Sequence, residues 1–179
     1  MEPKKLAIII TSVIVLVLLA IFYFWPSYNA SCVTKEMQTV NGVSMAGIVE
    51  NGQNVTVLDG YYRCNKLARD DVIIYNFSGD KNPLIKSVKG IPGDTFSLEQ
   101  TASGTFIDVD GKRLMTSDGQ AYTFDVQRTK MLSLYVDDYH GVIPQNSAII
   151  LGNIATGSVD SSQFGLVSAD DIIGKVSLH

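Results

Sequence analysis

The feature that most constrains this chain is an uninterrupted apolar run near its N-terminus. Residues 6–25 read LAIIITSVIVLVLLAIFYFW and contain no charged residue, glycine or proline. About 20 such residues are enough for an α-helix to cross the hydrocarbon core of a bilayer. Lys4 and Lys5 precede the run, and no charge follows until Lys35. This asymmetry predicts a helix whose N-terminal end faces the cytoplasm.

The apolar run divides the chain into three parts. We expect residues 1–26 to be a cytoplasmic stub and a single transmembrane helix, and residues 27–36 to be a juxtamembrane linker. Residues 37–179 then form one domain on the extracytoplasmic face of the cell membrane. A cleaved signal peptide is the alternative, but its apolar region is normally about 7–15 residues long.

Charge and cysteine content narrow the function. The chain has a net charge of −4, which argues against a nucleic-acid partner. Cys32 and Cys64 are its two cysteines. Outside the cytoplasm they could form a disulfide, and they could equally remain free thiols. Two cysteines and two histidines are too few to suggest a structural metal site.

The pattern after the linker is that of β-structure. Short runs rich in Val, Ile, Thr, Tyr and Phe alternate with turn residues, and Asp110-Gly111 is a hairpin signal. A helical turn is predicted at residues 168–172, capped by Ser168. We therefore expect a mostly β domain with an antiparallel, barrel-like sheet. The predicted strands cover residues 37–41, 54–58, 72–77, 84–89, 95–98, 105–109, 113–115, 121–124, 131–135, 148–151 and 174–178.

Two residues are candidates for chemistry. Ser44 lies in a turn after a predicted strand, and Lys86 lies 42 residues later, before a Gly-x-Pro-Gly-Asp turn. In a strand, Lys86 would share one face with Leu84 and Val88. Such a lysine could snorkel at a sheet edge, or it could be buried with its pKa lowered, as a general base requires. The pair suggests a hydrolase that uses lysine to activate serine.

Histidine offers a weaker alternative. His140 is the one internal histidine and lies in a loop-like Asp-Tyr-His-Gly stretch. A Ser-His-Asp triad needs a third residue that orients the imidazole, and nothing near His140 stands out for that role.

Five segments resemble, in order and at fitting spacing, the characteristic boxes of type I signal peptidases. Asp110-Gly111-Lys112 also resembles the Asn-Gly-Lys hairpin of that family. The resemblance extends from the apolar run to the C-terminus. The segments are residues 44–55 (nucleophile box), 69–75 (Arg-Gly-Asp strand), 85–94 (lysine box), 157–165 (Ser-x-Asp-Ser-Arg-x-aromatic-Gly box) and 164–176 (closing strand).

The resemblance implies a role for each residue that matches a box. Ser44 is the expected nucleophile and Lys86 the general base. Ser158 is expected to accept a hydrogen bond from Lys86 and orient it. The remaining implied positions are Asp160 and Ser161 as supports, Gly42 and Ser44 as the oxyanion region, and Val43, Met45, Pro83, Leu84 and Ile85 as the substrate-binding surface.

Several positions depart from the family pattern. Gly47 stands where proline is usual, and Asn153 where aspartate is usual. Ser87 and Ser162 replace arginines, so Asp160 would lack its usual salt-bridge partner. Gly42 occupies a position that carries a hydroxyl in some members, so a second oxyanion donor would have to be backbone or water.

The implied function is removal of signal peptides from exported preproteins by a membrane-anchored Ser-Lys endopeptidase. It would cut after small residues, with preproteins and the lipid bilayer as partners and no cofactor or metal. Two alternatives remain at this point: a non-catalytic signal-peptidase-like assembly or chaperone module, and a specialised pilin-processing protease. A cytosolic self-cleaving repressor of related fold is disfavoured by the apolar run and the net negative charge.

Overall fold

The computed structural model describes residues 12–17, 19–20, 32–77 and 83–178. Most of the predicted membrane helix and linker lies outside these residues. Residues 12–17 and 19–20 are helical. In the described part of the chain, no helix is both long and apolar enough to cross a membrane.

The described domain is mostly antiparallel β-structure, as predicted. Two short 3₁₀ helices, Tyr61–Arg63 and Ala169–Asp171, lie in its connections. In chain order the remaining elements are β1 (Thr34–Thr39), β2 (Asn54–Asp59), β3 (Val72–Tyr75), β4 (Leu84–Gly90), β5 (Phe96–Thr101), β6 (Gly104–Val109), β7 (Lys112–Arg113), β8 (Thr123–Phe124), α1 (Val126–Tyr139), β9 (Ser147–Leu151), α2 (Ser161–Phe164), β10 (Val167–Ser168) and β11 (Ile172–Ser177).

The strands form two sheets. The larger has the order β1-β2-β11-β3-β4-β9-β10, and the smaller has the order β5-β6-β7 with β8 also paired to β6. Every pairing is antiparallel. Strand β4 lies inside the larger sheet, where Ile73 of β3 pairs with Lys86 and Leu151 of β9 pairs with Ser87. A side chain on β4 is therefore held by neighbours on both sides.

Both faces of the larger sheet are packed around β4. Leu84 and Val88 pack in one apolar cluster with Ile73, whereas Ile85 packs in another with Met45. This alternation along β4 agrees with the predicted period of two. A third cluster, which includes Phe124 and Leu132, lies between the smaller sheet, β9 and α1.

Arg69 and Asp94, which belong to two of the resemblance boxes, are paired in the fold. Arg69 Nε donates to Asp94 Oδ2 at 2.7 Å, and the same oxygen accepts from the Ile91 N–H at 2.9 Å. The pair fixes the turn that follows β4 to the start of β3. These two box residues therefore stabilise the sheet by joining the loop before β3 to the turn after β4.

The strand predicted at residues 131–135 is wrong, because that segment lies within α1. Asp125 caps the helix by accepting from the Arg128 N–H at 2.8 Å, and His140 ends it in the left-handed region at φ 54°. Thr129, Leu132 and Val136 turn toward the domain at helical spacing. The cap, this 3.6-residue period and the helix-forming residues Met131, Leu132 and Leu134 favour the helix.

The other local predictions agree with the structure. Each remaining predicted strand overlaps an observed one. The Asp110-Gly111 hairpin joins β6 to β7, with φ of 50° and 69° at its two residues. Ser168 caps the second 3₁₀ helix through the Asp170 N–H.

Cys32 and Cys64 form a disulfide, which decides between the two alternatives left open by the sequence. Their sequence separation is 32 residues and their Cα atoms lie 6.2 Å apart. The bond joins the start of β1 to the end of the Tyr61–Arg63 helix. Gly60 packs closely against it, since a Cβ at that position would lie 2.6 Å from the Cys32 carbonyl oxygen.

We expect the paired change Cys32→Ala and Cys64→Ala to destabilise the domain by about 2–4 kcal/mol, because a loop of this length gains chain entropy when its closure is lost. Denaturant unfolding of the two proteins would measure the difference. Reduction of the wild type by a thiol should give the same loss, and the same thiol should leave the alanine variant unchanged. Equal midpoints for all samples would contradict a stabilising disulfide.

Candidate active site

Ser44 is presented by a compact turn between β1 and β2. The turn is closed by the Val40 N–H, which donates to Gln53 O at 2.9 Å, and by the Gly52 N–H, which donates to Val40 O at 2.8 Å. Met45, only 1% exposed, anchors the turn in the apolar core. Ser44 itself is half-buried, with its hydroxyl facing the sheet.

The glycine that replaces proline in this turn has a local cause. Gly47 has φ +87°, a conformation that proline cannot adopt, and its N–H donates to Glu50 Oε1 at 2.9 Å. A Cβ at Gly47 would lie 3.2 Å from Asn153 Nδ2. The two departures from the family pattern, at 47 and 153, therefore lie next to each other.

Lys86 meets Ser44 directly. Lys86 Nζ donates to Ser44 Oγ at 2.9 Å and to the Ile85 carbonyl oxygen at 2.7 Å. Lys86 is only 2% exposed, so it does not snorkel. The structure thus brings together the two residues that the sequence singled out.

Burial lowers the pKa of Lys86 from 10.5 to about 8, and the negative charge of Asp160 partly opposes this shift. Removal of an ammonium group from water disfavours its charged form, whereas a nearby carboxylate favours it. About half of Lys86 is therefore neutral at pH 8, and the neutral amine can accept the proton of Ser44 Oγ.

Asp160 is the centre of the polar support beside this pair. It is 0% exposed and accepts five hydrogen bonds. Its Oδ2 accepts from the Gly152 N–H at 3.0 Å, and from the N–H and Oγ of Ser158 at 3.2 and 2.6 Å. Its Oδ1 accepts from the N–H and Oγ of Ser162 at 3.0 and 2.6 Å. Hydrogen bonds thus take the place of the salt bridge expected from the family pattern.

The structure does not contain the hydrogen bond predicted from Lys86 to Ser158. Among the described residues, Ser158 Oγ donates to Asp160 instead. Ser158 nevertheless lies close to the nucleophile, because a Cβ at Gly152 would meet Ser158 Oγ at 2.4 Å and Ser44 O at 2.7 Å. Ser158 therefore borders the site through Gly152 and Asp160.

Ser161 has a structural partner. Its Oγ accepts from the Ile150 N–H at 2.9 Å, and both residues are 0% exposed. The bond joins the start of α2 to β9, and so holds the Asp160 cap in place.

Asn153 was considered only as a departure, yet it makes four hydrogen bonds around the site. Its N–H donates to Ser44 O at 2.7 Å. Its side chain donates to Ala46 O and Ser117 Oγ, each at 2.7 Å, and accepts from the Ser117 N–H at 2.8 Å. The side-chain amide, as donor and acceptor, ties the nucleophile turn to the 117–119 turn.

Tyr122 was also missed. It is 0% exposed, and its hydroxyl donates to Gly152 O at 2.6 Å. Only its position in a predicted strand hinted at burial; its partner could not be seen from the sequence.

A groove of about 500 Å³ opens beside the nucleophile turn. The predicted surface residues Pro83, Leu84 and Ile85 line it, whereas Val43 is exposed on the turn and Met45 lies in the core beneath. The remaining lining residues are Gln38, Thr39, Val40, Asn41, Val55 and Ile74. The groove therefore runs between the end of β1 and the start of β4.

His140 has a different place. It ends α1, where its backbone N–H donates to Val136 O. The position beside Ser44 Oγ is taken by Lys86, so the described residues give no support to a histidine triad.

The family model for signal peptidase, peptidase S26, matches residues 5–179. Signal peptidase IB of Staphylococcus aureus (strain COL) is 27% identical over 150 residues, covering 79% of this chain and 75% of that protein. Signal peptidase I of Bacillus caldolyticus is 26% identical over 165 residues, covering 87% and 88%.

A crystal structure of a signal peptidase I from Enterococcus faecalis V583 also matches, at 21% identity and a TM-score of 0.44. It covers 63% of this chain and 98% of that one.

The depressed pKa of Lys86 predicts that Lys86→Met stabilises the domain at neutral pH. The cost of a buried ammonium group is fully present below about pH 8 and disappears as pH rises toward 10.5, where both folded and unfolded chains are neutral. Lys86→Met also loses the two hydrogen bonds of the amine. After that loss is subtracted, the free energy of unfolding should rise by on the order of 1–3 kcal/mol.

Chemical unfolding at pH 7 and pH 10 would test this expectation. The exposed Lys112→Met is the matched control and should change stability little at either pH. The stability difference between Lys86→Met and the wild type should favour the variant more at pH 7 than at pH 10, and an equal difference at both pH values would contradict a depressed pKa.

Proposed function

The chain belongs to the signal peptidase family, peptidase S26, and we propose that Ser44 and Lys86 are the catalytic dyad with which this serine endopeptidase removes signal peptides. The observation that carries the assignment is the 2.9 Å contact between Lys86 Nζ and Ser44 Oγ in a site with almost no solvent exposure at the lysine. This distance is within the range for direct proton transfer.

In the first half of the reaction, Ser44 Oγ attacks the carbonyl carbon of the scissile peptide while the neutral amine of Lys86 takes its proton. The resulting ammonium group then donates that proton to the leaving nitrogen. The C–N bond breaks, and the acyl group remains on Ser44.

In the second half, Lys86 is neutral again and accepts a proton from a water molecule. The hydroxide attacks the ester carbon, and the proton returns from Lys86 to Ser44 Oγ as the ester bond breaks. The signal peptide leaves with a carboxylate terminus. Lys86 is therefore the one side chain that transfers protons in both halves of the reaction.

The Ser44 backbone N–H is the proposed oxyanion donor. In the part of the chain that the structure describes, no oxygen accepts from it. The Gly42 N–H is engaged with Asn51 Oδ1 at 2.9 Å, and Gly42 carries no hydroxyl. We therefore assign the first donor to Ser44 and leave Gly42 the role of shaping the turn, with φ +107°.

The groove between β1 and β4 fits an extended peptide. We propose that the signal-peptide segment lies there as an added strand, between the edges near Gly42 and near Pro83. Its apolar wall, formed by Val55, Ile74 and Leu84, suits small apolar side chains before the cut. This placement brings the scissile carbonyl toward Ser44.

We also propose that residues 6–25 anchor the enzyme in the cell membrane, with residues 37–179 on the extracytoplasmic side. The uncharged sequence supports this, as do the exposed apolar side chains on the described helical residues, among them Val13 and Leu16. The Cys32–Cys64 disulfide fits an oxidising compartment. Tethering would confine enzyme and substrate to the same plane and raise their effective concentration.

The dyad predicts that Ser44→Ala and Lys86→Met each lower the rate of preprotein cleavage by about a thousandfold or more. Purified full-length enzyme in detergent, with a preprotein substrate and mass analysis of the products, would measure this. Lys89→Met is the matched control, because Lys89 lies on the same strand but pairs with Asp70 at 2.7 Å. Near-normal cleavage by either dyad variant would rule out the mechanism.

The same assignment predicts the pH dependence. Since Lys86 must be neutral to accept the proton, kcat/KM should rise about tenfold per pH unit in the acidic range and level off above about pH 8. Initial rates measured from pH 6 to 10 would show the rise of kcat/KM and its plateau. A profile that levels off below pH 6 would point to a different base.

A further inference from the structure

A half-buried cation, Arg128, lies near Asp160, although the expected arginine of the box is absent. Ser162 occupies that arginine's position, is 0% exposed, and donates to Asp160 Oδ1 at 2.6 Å. Arg128, in the first turn of α1, reaches the same loop from the other side. Its Nη1 donates to Ser162 Oγ at 3.2 Å and to Ser158 O at 2.6 Å.

Gly157 makes room for this guanidinium. A Cβ at Gly157 would lie 3.0 Å from Arg128 Nη1 and 3.1 Å from Ser162 Oγ, and the residue has φ +94°. The absence of a side chain at 157 therefore lets Arg128 approach the loop. The guanidinium thus contacts the loop through one backbone oxygen and one side-chain hydroxyl.

The helix that carries Arg128 is held firmly against the loop. Leu132 of α1 is 0% exposed in the core beneath it. Tyr135 packs so closely on Gly165, at the end of α2, that a Cβ there would lie 2.4 Å from the ring. The position of Arg128 is thus set by the packing of α1.

We propose that Arg128 is a positioning residue of the Ser-Lys site, supplying from α1 the positive charge that the family pattern places at position 162. Through Ser162 it partly balances the carboxylate of Asp160, and through Ser158 O it holds the loop beside Lys86. This deepens the proposed function and rests on it for its catalytic meaning.

The electrostatic consequence concerns Lys86. The charge of Asp160 favours the ammonium form of Lys86 and so opposes the effect of burial on its pKa. The groups that face Asp160 are Lys86 from β4, Arg128 from α1 through Ser162, and the phenol of Tyr122. Removal of the Arg128 charge leaves the carboxylate less balanced, so the pKa of Lys86 should rise.

The test is titration of Lys86 in the full chain carrying ¹³C-labelled lysine, with Lys86→Met used to identify its resonance. We expect the midpoint in Arg128→Gln to lie about half a unit above the wild type, and that in Arg128→Lys to stay close to it. Lys130→Gln removes one positive charge from an exposed position on the same helix and should leave the midpoint unchanged.

Cleavage assays give the second readout. In Arg128→Gln the acidic limb of kcat/KM should move to higher pH, giving about a threefold loss at pH 7 and little loss at the plateau. A purely structural role would instead lower kcat/KM equally at every pH. That outcome, an unshifted Lys86 midpoint, or an equal shift in Lys130→Gln would each overturn the proposal.

Ser162→Ala removes the link between Arg128 and Asp160 and serves as an independent variant if Arg128→Gln does not fold. Its Lys86 midpoint should also rise, and an unchanged midpoint would contradict the link. Because the titration needs no substrate, failure of the wild type to cleave a preprotein would refute the proposed function separately from the role of Arg128.

Discussion

The site depends on the removal of one lysine from water. Lys86 lies on an internal strand, so the sheet itself excludes solvent from the side chain and directs its amine toward Ser44. An ammonium group in that place is costly, and the proposed mechanism uses the neutral form. The surrounding polar groups need only hold the turn and the Asp160 loop at the right distance.

Much of the fold could be predicted from local pattern, and the failures have physical causes. Strands such as β2 and β4 follow the alternation of their own residues. The segment at 131–135 has β-branched and aromatic neighbours, but it folds as helix because Asp125 caps it and Leu132 and Val136 face a core built by distant strands. Tertiary burial therefore contributes to the helical conformation of residues 131–135.

The contact between Ser44 and Lys86 could be anticipated from the sequence, whereas most of the polar contacts around it could not. Ser44 and Lys86 were identified through their surrounding motifs. The amide of Asn153 reaches Ala46 across 107 residues, and Arg128 reaches Ser162 across 34. Contacts between residues so far apart in the sequence cannot be predicted from a local pattern. The motif therefore shows only that position 162 lacks an arginine, whereas in our proposal the positive charge comes from Arg128 on α1.

The Cys32–Cys64 bond has a consequence for when the protein matures. It ties the entry to the first strand, just after the apolar run, to a loop 32 residues later. Such a bond forms only after the chain has left a reducing environment. On the proposed extracytoplasmic side, the enzyme would acquire this cross-link only after its own export, in the compartment that its substrates also enter.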